Sequence, residues 1–482
     1  MKVVKQLPIY FIGRIFPAAV AFFGISIYTH LLEPASFGTY ALLISVSFLV
    51  GMTGFSWLRI AALRMLATVS REDEPDFTAT IAIAFLGTAV AVVGVVIGVL
   101  HAYNAGLPLV MIVLTAASAV SSAWFELNIT VSQAQAKLLT LAALQIARSL
   151  AALAATLTLI KLGFKDTALL GGFVVGNLVS IGSAPLWATA VHGRFRMPIL
   201  ARLFHFGWPS SVAAINNFSA TFMRYMLEIT SGSVAVGIYA TTVDFANQTI
   251  SLLIGTASLA GQPLAFRARD QGTHDELIAQ LRTNATLIVM IGLGATVGLI
   301  TLAGPISRVY FGSKFHATAG PLLEQVLIIS AIGVFCAGLR GSYFEQAFEI
   351  AYKTWPLVVI MFIRTITTVG VGFVMVKAHG IIGAAVTVLA SDLLSTLISY
   401  LWGRRLIRMP IPLMNVAKTA LAALVMSGTI LLVPGRDSLT GLTIAIASGV
   451  LAYAVALLLL FRETLGGSAK FTGAVRSVLT RS

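Results

Sequence analysis

The sequence predicts an all-α, polytopic membrane protein of about fourteen transmembrane helices, because its apolar runs match the thickness of a bilayer. Of its 482 residues, 58% are hydrophobic and only 10% are charged, and the mean hydropathy is +0.93. Runs of about 20 apolar residues, the length that spans a hydrocarbon core of roughly 30 Å, follow one another almost without interruption. Backbone groups in lipid must be hydrogen-bonded within their own segment, so these runs are predicted to be helices.

The first six predicted helices form an N-terminal six-helix bundle, residues 1–190. They are expected at approximately 8–32, 38–57, 77–101, 106–126, 138–161 and 167–190. The first apolar run is too long for the hydrophobic region of a signal peptide and lacks a small-residue cleavage site. We therefore expect it to be retained as a helix.

A second six-helix bundle, residues 207–402, follows a basic cytoplasmic connector at 191–206. Its helices are expected at approximately 207–229, 234–260, 283–306, 319–343, 355–377 and 380–402. An extra helix pair in 412–461, expected at 412–434 and 438–461, precedes a basic cytoplasmic tail at 462–482. The arginines of the connector predict an amphipathic segment at the inner leaflet, where each gains about 1 kcal/mol near anionic headgroups.

The two bundles show traces of an internal repeat. Gly38 and Tyr40, at the start of the second helix, match Gly237 and Tyr239 in the eighth at one offset of 199 residues (237 minus 38). Because six helices separate the matched segments, both halves enter the membrane from the same side. The sequence therefore predicts a parallel repeat with its pseudo-axis along the membrane normal.

The distribution of basic residues predicts the orientation. With the N-terminus inside, most Lys and Arg residues of the short loops, such as Arg59 and Arg404, fall on the cytoplasmic side, and few, such as Lys161 and Arg308, fall outside. This asymmetry predicts a multi-pass protein with both termini in the cytoplasm. It also accounts for most of the net charge of +14, so we predict no nucleic-acid partner.

Charged residues inside the apolar runs are the candidates for function. A mid-membrane arginine costs about 2.5 kcal/mol or more, so it normally faces a cavity or a charged partner. The deep acids are Asp244 and Asp392, and they are outnumbered by five arginines within apolar runs, Arg14, Arg148, Arg224, Arg340 and Arg364. This excess of deep cations favours an anionic substrate. For any single arginine, the alternative is a buried ion pair that only holds helices together.

Helical spacing places several polar residues on common faces and predicts a central aqueous cavity. We expect its substrate-binding residues to be Arg14, Arg148, Arg224, Arg340, Arg364, Asn217, Asn247 and Gln248. Asp244 and Asp392 are the candidates for binding a coupling ion. For Asp244, an ion pair with an arginine fits the sequence equally well. The Ser- and Thr-rich face around Asp392 favours a structural hydrogen-bonding role for that residue.

The sequence shows no pattern typical of an enzyme. Its histidines are scattered without metal-ligand spacing, and it contains no phosphate-binding glycine loop or nucleophile elbow. A single cysteine, Cys336, excludes a disulfide framework and a cysteine-based metal site. We therefore predict no catalytic residue, no metal and no cofactor.

A short motif resembles a known family. Leu32-Glu33-Pro34 followed by Phe37-Gly38-Thr39-Tyr40 resembles the junction between the first two helices of polysaccharide transporters. These are the Wzx-type O-antigen and exopolysaccharide flippases of the multidrug/oligosaccharidyl-lipid/polysaccharide (MOP) superfamily. Val236-Gly237-Ile238-Tyr239 looks like the corresponding start in the second half. Lipid II flippases are also similar.

The resemblance implies a MATE-like pair of bundles that alternates between inward-open and outward-open states. Its substrate would be an undecaprenyl-diphosphate-linked oligosaccharide, moved from the cytoplasmic to the periplasmic leaflet for O-antigen, capsule or exopolysaccharide biosynthesis. Arginines in a cavity would hold the diphosphate. Its partners would be membrane lipids and the glycan polymerase and chain-length machinery.

Three other functions remain open at the level of sequence. A multidrug or cation antiporter of the same superfamily would need an acid-dominated cavity, which is opposite to the charge balance of this chain. A lipid II flippase would differ only in its substrate. A membrane scaffold without transport activity would not need several helices with polar faces.

Overall fold

The computed structural model describes residues 2–66, 68–70, 72–103, 107–135, 137–181, 190–214 and 218–462, and in these ranges it contains helices and no strands. This confirms the predicted all-α fold class. The helices of the N-terminal part are α1 Lys2–Leu31, α2 Pro34–Leu66, α3 Glu74–Tyr103, α4 Leu109–Ala134, α5 Leu138–Lys161, α6 Ala168–Leu178, α7 Met197–Ala214 and α8 Phe218–Gln271.

The C-terminal part continues with seven α-helices and one π-helical turn, Arg340–Phe344. The α-helices are α9 His274–Thr301, α10 Ala303–Val309, α11 Ser313–Leu339, α12 Gln346–Ile350, α13 Trp355–Gly403, α14 Leu413–Leu432 and α15 Leu439–Leu460.

The described helices are those of a polytopic membrane protein. Ten of them are long and apolar enough to span a membrane. Two of these ten, α8 and α13, contain a glycine with non-helical backbone angles, Gly232 in α8 and Gly380 in α13, which divides each into two helical segments. Two shorter apolar helices, Ile15–Leu31 and Ala168–Leu178, lie where the first and sixth crossings are expected. The chain is therefore a multi-pass membrane protein.

The chain divides into two compact units. The first consists of Met1–Thr241 with Thr365–Ala384, and the second of Thr242–Arg364 with Ala385–Ser482. The division into bundles at 1–190 and 207–402 stays a proposal based on the sequence repeat.

In the first unit, the core is packed between α2, α3, α4 and α7. Leu58 of α2, Ile81 of α3, Ala119 of α4 and Leu203 of α7 are almost fully buried. Ala119 is a small residue, and it lies 3.6 Å from the position that a Cβ would take on Gly51 of α2. Small residues at this crossing let α2 and α4 approach closely, as is usual between transmembrane helices.

The two repeated glycine motifs contact each other within the first unit. A Cβ on Gly38 would overlap the carbonyl oxygen of Ser233, and a Cβ on Gly237 would overlap the carbonyl oxygen of Pro34. Pro34 and Ser233 are separated by the same 199 residues as the two glycines (233 minus 34). The contact is therefore reciprocal, and it supports the repeat that the sequence indicates.

The connector is fastened to the start of α3. The carboxylate of Asp76 accepts hydrogen bonds from the backbone N–H of Arg194, at 2.8 Å, and from Nε of Arg196. Beyond this point α7 buries Ile199 and Leu203 and exposes Arg202. An amphipathic helix thus forms the C-terminal part of the predicted connector.

The second unit joins the extra helix pair to α9. Asn415 of α14 donates from Nδ2 to Oγ1 of Thr286, at 3.0 Å, and Tyr453 of α15 donates from Oη to the carbonyl oxygen of Met290, at 2.6 Å. The pair is therefore an integral part of this unit.

Candidate functional site

A cavity of about 150 Å³ lies in the first unit, between α2, α3, α4 and α5. Its walls are largely apolar, with the rings of Phe48, Phe55 and Phe85 among the lining residues. Its lining also includes three charged residues, Arg59 of α2, Glu126 of α4 and Arg148 of α5. A small, mostly apolar cavity with a few convergent charged groups is the usual form of a ligand-binding site.

The cavity forms because each helix contributes residues from one face. On α2, Phe48, Met52, Phe55 and Arg59 lie three or four positions apart, so they line up along the cavity. On α4 the lining residues before the acid are the small side chains Ser122 and Ala123. Their small volume opposite large rings leaves the space open.

The three charged groups interact within this cavity. One carboxylate oxygen of Glu126 lies 3.5 Å from Nη1 of Arg148, and the other lies 3.7 Å from Nη1 of Arg59. Both distances exceed the roughly 3.2 Å limit of a direct N–H···O hydrogen bond. Two guanidinium groups share one carboxylate, so the trio carries one excess positive charge.

Aromatic rings position Arg148. Its guanidinium carbon lies 4.5 Å from the ring centre of Phe125 and 5.3 Å from that of Phe173. A guanidinium within about 6 Å of a ring face gains a favourable cation–π interaction. Phe173 in turn packs edge-on against Phe48, which lines the cavity. The rings therefore hold the arginine beside the cavity while its side chain stays 24% exposed.

Arg224, also in the first unit, contacts the backbone of α2. Its Nη1 donates to the carbonyl oxygen of Ala41 at 2.8 Å, and Oγ1 of Thr221 donates to the carbonyl oxygen of Ser45 at 3.1 Å. The polar face predicted for this helix thus packs at least partly on α2. Arg14 belongs to α1, but its side chain is outside the described residues, and Asn217 lies outside them altogether.

In the second unit, two of the predicted arginines form close ion pairs. Nε of Arg364 lies 2.6 Å from Oδ1 of Asp392, and the two side chains are 20% and 4% exposed. Nη1 of Arg340 lies 2.9 Å from Oε1 of Glu345, with exposures of 10% and 13%. Each is a buried charge pair of the kind that the sequence analysis gives as the alternative to substrate binding.

Asp244, Asn247 and Gln248 lie on α8 in the second unit. Asn247 is exposed, and the other two residues are half-buried. Binding of a coupling ion at Asp244 or Asp392, and of substrate at Asn247 and Gln248, stay predictions.

Sequence reasoning missed two residues of the cavity, Arg59 and Glu126. Hydropathy ends the predicted helices at 57 and 126, so Arg59 falls in a predicted cytoplasmic loop and Glu126 at the predicted end of its helix. The structure extends α2 to Leu66 and α4 to Ala134, which places both charges inside helices. The apolar run that follows Arg59, Ile60 to Leu63, was the available signal.

Comparison of the sequence with family models gives one match. The model described as polysaccharide biosynthesis protein matches residues 27–320, more than half of the chain. No curated protein sequence matches the chain significantly.

Solved structures with the same fold include two kinds of transporter. The lipid II flippase MurJ, in an inward closed conformation, superposes with a TM-score of 0.75 and 14% identity, covering 95% of this chain and 99% of that one. An inward-facing multidrug resistance MATE family transporter of the MOP superfamily gives a TM-score of 0.62 at 14% identity, covering 85% and 99%. At this level of identity the likeness shows a shared fold.

Proposed function

Because the chain belongs to the polysaccharide biosynthesis protein family of the MOP superfamily, we propose that it is a flippase for a lipid-linked sugar. The proposed substrate is an undecaprenyl-diphosphate-linked oligosaccharide, carried from the cytoplasmic to the periplasmic leaflet of the inner membrane by alternating access. The product would serve O-antigen, capsule or exopolysaccharide biosynthesis.

The observation that carries the proposal is the excess of arginine in the cavity of the first unit. Arg59 and Arg148 converge on a space of about 150 Å³. A space of this size can admit a diphosphate. A guanidinium presents planar, paired donors that match phosphate oxygens. The phenylalanine walls suit the first isoprene carbons next to the diphosphate.

The surroundings of the other predicted cavity arginines indicate how well each could bind the diphosphate. Arg340 and Arg364 are each bonded closely to a carboxylate, so they are less suited to hold a second anion. We assign the diphosphate to Arg59 and Arg148. Arg14, Arg224, Asn217, Asn247 and Gln248 remain proposed contacts for the rest of the substrate.

Binding of undecaprenyl diphosphate to the purified protein tests the assignment. Arg148→Gln removes a charge-assisted hydrogen bond of about 1.5–3 kcal/mol, so we expect affinity to fall by roughly 10- to 100-fold. The matched control is Arg308→Gln, because Arg308 is paired with Asp437 in the second unit. Native mass spectrometry or thermal shift gives the affinities, with undecaprenol as the neutral ligand.

Two results would contradict the proposal. Equal affinity for undecaprenyl diphosphate and undecaprenol would show that the diphosphate is not recognised. Binding of a lipophilic cation in place of the diphosphate would favour a multidrug or cation antiporter. A preference for lipid II over other lipid-linked sugars would keep the mechanism and change the substrate.

We further propose the setting in which this activity takes place. Both termini would lie in the cytoplasm, and membrane lipids would surround the protein. Glycan polymerase and chain-length machinery would act on the translocated substrate, because sugar units delivered to the outer leaflet must be joined there.

A further inference from the structure

We propose that Glu126 is a resident competitor of the substrate, whose carboxylate occupies Arg59 and Arg148 in the empty cavity and is displaced by the diphosphate. The inference rests on the proposed function, because it assumes that these two arginines bind an anionic headgroup. It assigns a role in substrate affinity and release to an acid that is not among the predicted site residues.

The geometry of Glu126 is that of a bridging anion. Each of its two carboxylate oxygens approaches a different guanidinium, Arg148 at 3.5 Å and Arg59 at 3.7 Å. A phosphate group presents oxygens in a similar way to two arginines. The Glu126 carboxylate therefore occupies the position that we propose for the diphosphate, and it keeps both guanidinium groups directed at that position.

The bridge is loose enough to be exchanged. Its distances are longer than those of hydrogen-bonded ion pairs, and the side chain of Glu126 is 43% exposed. Neither contact is a short hydrogen bond that would hold the carboxylate in place. Moving the carboxylate aside is correspondingly easy.

The second unit contains a contrasting arrangement of the same chemical groups. The Arg364–Asp392 and Arg340–Glu345 pairs are 2.6 and 2.9 Å long, and all four side chains are at most 20% exposed. Those carboxylates are fixed by short contacts and burial. The contacts of Glu126 are longer, its side chain is more exposed, and it has two arginine partners instead of one.

Like-charge repulsion makes the exchange competitive. A diphosphate bound to the same two arginines would lie beside the Glu126 carboxylate, and negative charges at such distances repel strongly in a partly dry cavity. One anion must therefore leave when the other binds. A transporter must also release what it binds, and the returning carboxylate would weaken the hold of both arginines on the diphosphate.

The test is Glu126→Gln, which keeps the shape of the side chain and removes its charge. We expect undecaprenyl diphosphate to bind about tenfold more tightly and to dissociate more slowly. Transport in proteoliposomes should fall accordingly. Glu126→Asp, which keeps the charge, should bind like the wild type. Glu228→Gln is the control, since Glu228 is a half-buried acid of the same unit bonded to Ser233.

The outcomes separate this inference from the proposed function. If the wild type and Glu126→Gln both fail to distinguish the diphosphate from undecaprenol, the proposed function is wrong. If the wild type binds the diphosphate and Arg148→Gln loses it, but Glu126→Gln binds equally or more weakly, only the competitor role is wrong. In that case Glu126 would merely position the arginines.

Discussion

At the scale of single residues, Arg148 and Arg364 carry the same charge into apolar helices, yet their surroundings differ. Arg364 is in close contact with Asp392, at 2.6 Å, whereas Arg148 lies 3.5 Å from Glu126, a carboxylate that it shares with Arg59. The sequence shows that both arginines are deep in apolar runs. It does not show their partners, because the choice of partner depends on how separate helices pack.

We expect Asp392→Asn to lower the free energy of unfolding by about 3 kcal/mol, because it removes the charge that balances Arg364 in a buried site. The matched control is Asp437→Asn, which breaks an exposed pair with Arg308 and should cost less than about 1 kcal/mol. Thermal denaturation in detergent, followed by fluorescence, measures both.

Replacing both partners by apolar residues, Arg364→Met with Asp392→Leu, should recover most of that loss. A double mutant as unstable as Asp392→Asn would mean that the pair does more than balance charge. If Asp392→Asn were as stable as the wild type, the structural role of Asp392 would be wrong.

At the scale of secondary-structure elements, hydropathy predicts the existence and order of the helices better than their ends. The helix expected at 283–306 is His274–Thr301 in the structure. Its start is a capping box, in which Oγ1 of Thr273 accepts from the N–H of Glu276 while the Glu276 carboxylate accepts from the N–H of Thr273. The Thr-x-x-Glu pattern is visible in the sequence. Hydropathy overlooks it because the first turns of the helix are polar.

Because of the same limitation, hydropathy does not predict the charged residues of the cavity. The averaged hydropathy falls where charged residues begin, and the predicted helix ends there. In the structure, α2 and α4 continue as helices beyond that point. Arg59 lies in the continuation of α2, and Glu126 is the last residue of the helix predicted at 106–126. Charges on a helix that extends past an apolar run are therefore candidates for a site at its end.

The reciprocal glycine contact allows a further prediction at this scale. Gly38→Ala or Gly237→Ala should destabilise the protein by about 1–3 kcal/mol, since a Cβ would overlap a backbone carbonyl of the facing helix. The control is Gly87→Ala on α3, where a Cβ would have no neighbour within 4 Å. The fraction of protein that remains monodisperse after heating measures the difference. Unchanged behaviour of all three variants would show that the helices can move apart at no cost.

At the scale of the whole molecule, composition and hydropathy predict the fold class and the succession of membrane helices. These properties are spread over hundreds of residues, so errors at individual positions do not change them. The site depends on a few side chains from separate helices, and these contacts follow only from packing. The sequence therefore predicts an arginine-rich membrane transporter, but it predicts only Arg148 of the three charged residues in the cavity.

Orientation in the membrane is a property of the whole chain and can be tested by fusions. We expect green fluorescent protein joined to either terminus to be fluorescent, because both termini should face the cytoplasm. Alkaline phosphatase inserted after Gly435, in the turn between α14 and α15, should be active because that turn should face the periplasm. Active phosphatase at the C-terminus would show that this end is periplasmic. That result would contradict the proposed orientation, and with it the proposed direction of transport.

The reciprocal contact of Gly38 with Ser233 and of Gly237 with Pro34 also bears on the origin of the chain. When two identical subunits meet across a two-fold axis, residue i of one contacts residue j of the other, and residue j of the first contacts residue i of the second. The contacts of the two glycines have this reciprocal form. A half-length ancestor with this motif would have had a self-complementary surface before any gene duplication. Fusion of two copies would then have preserved an existing homodimer interface, and each glycine would since have been held in place by selection on its counterpart.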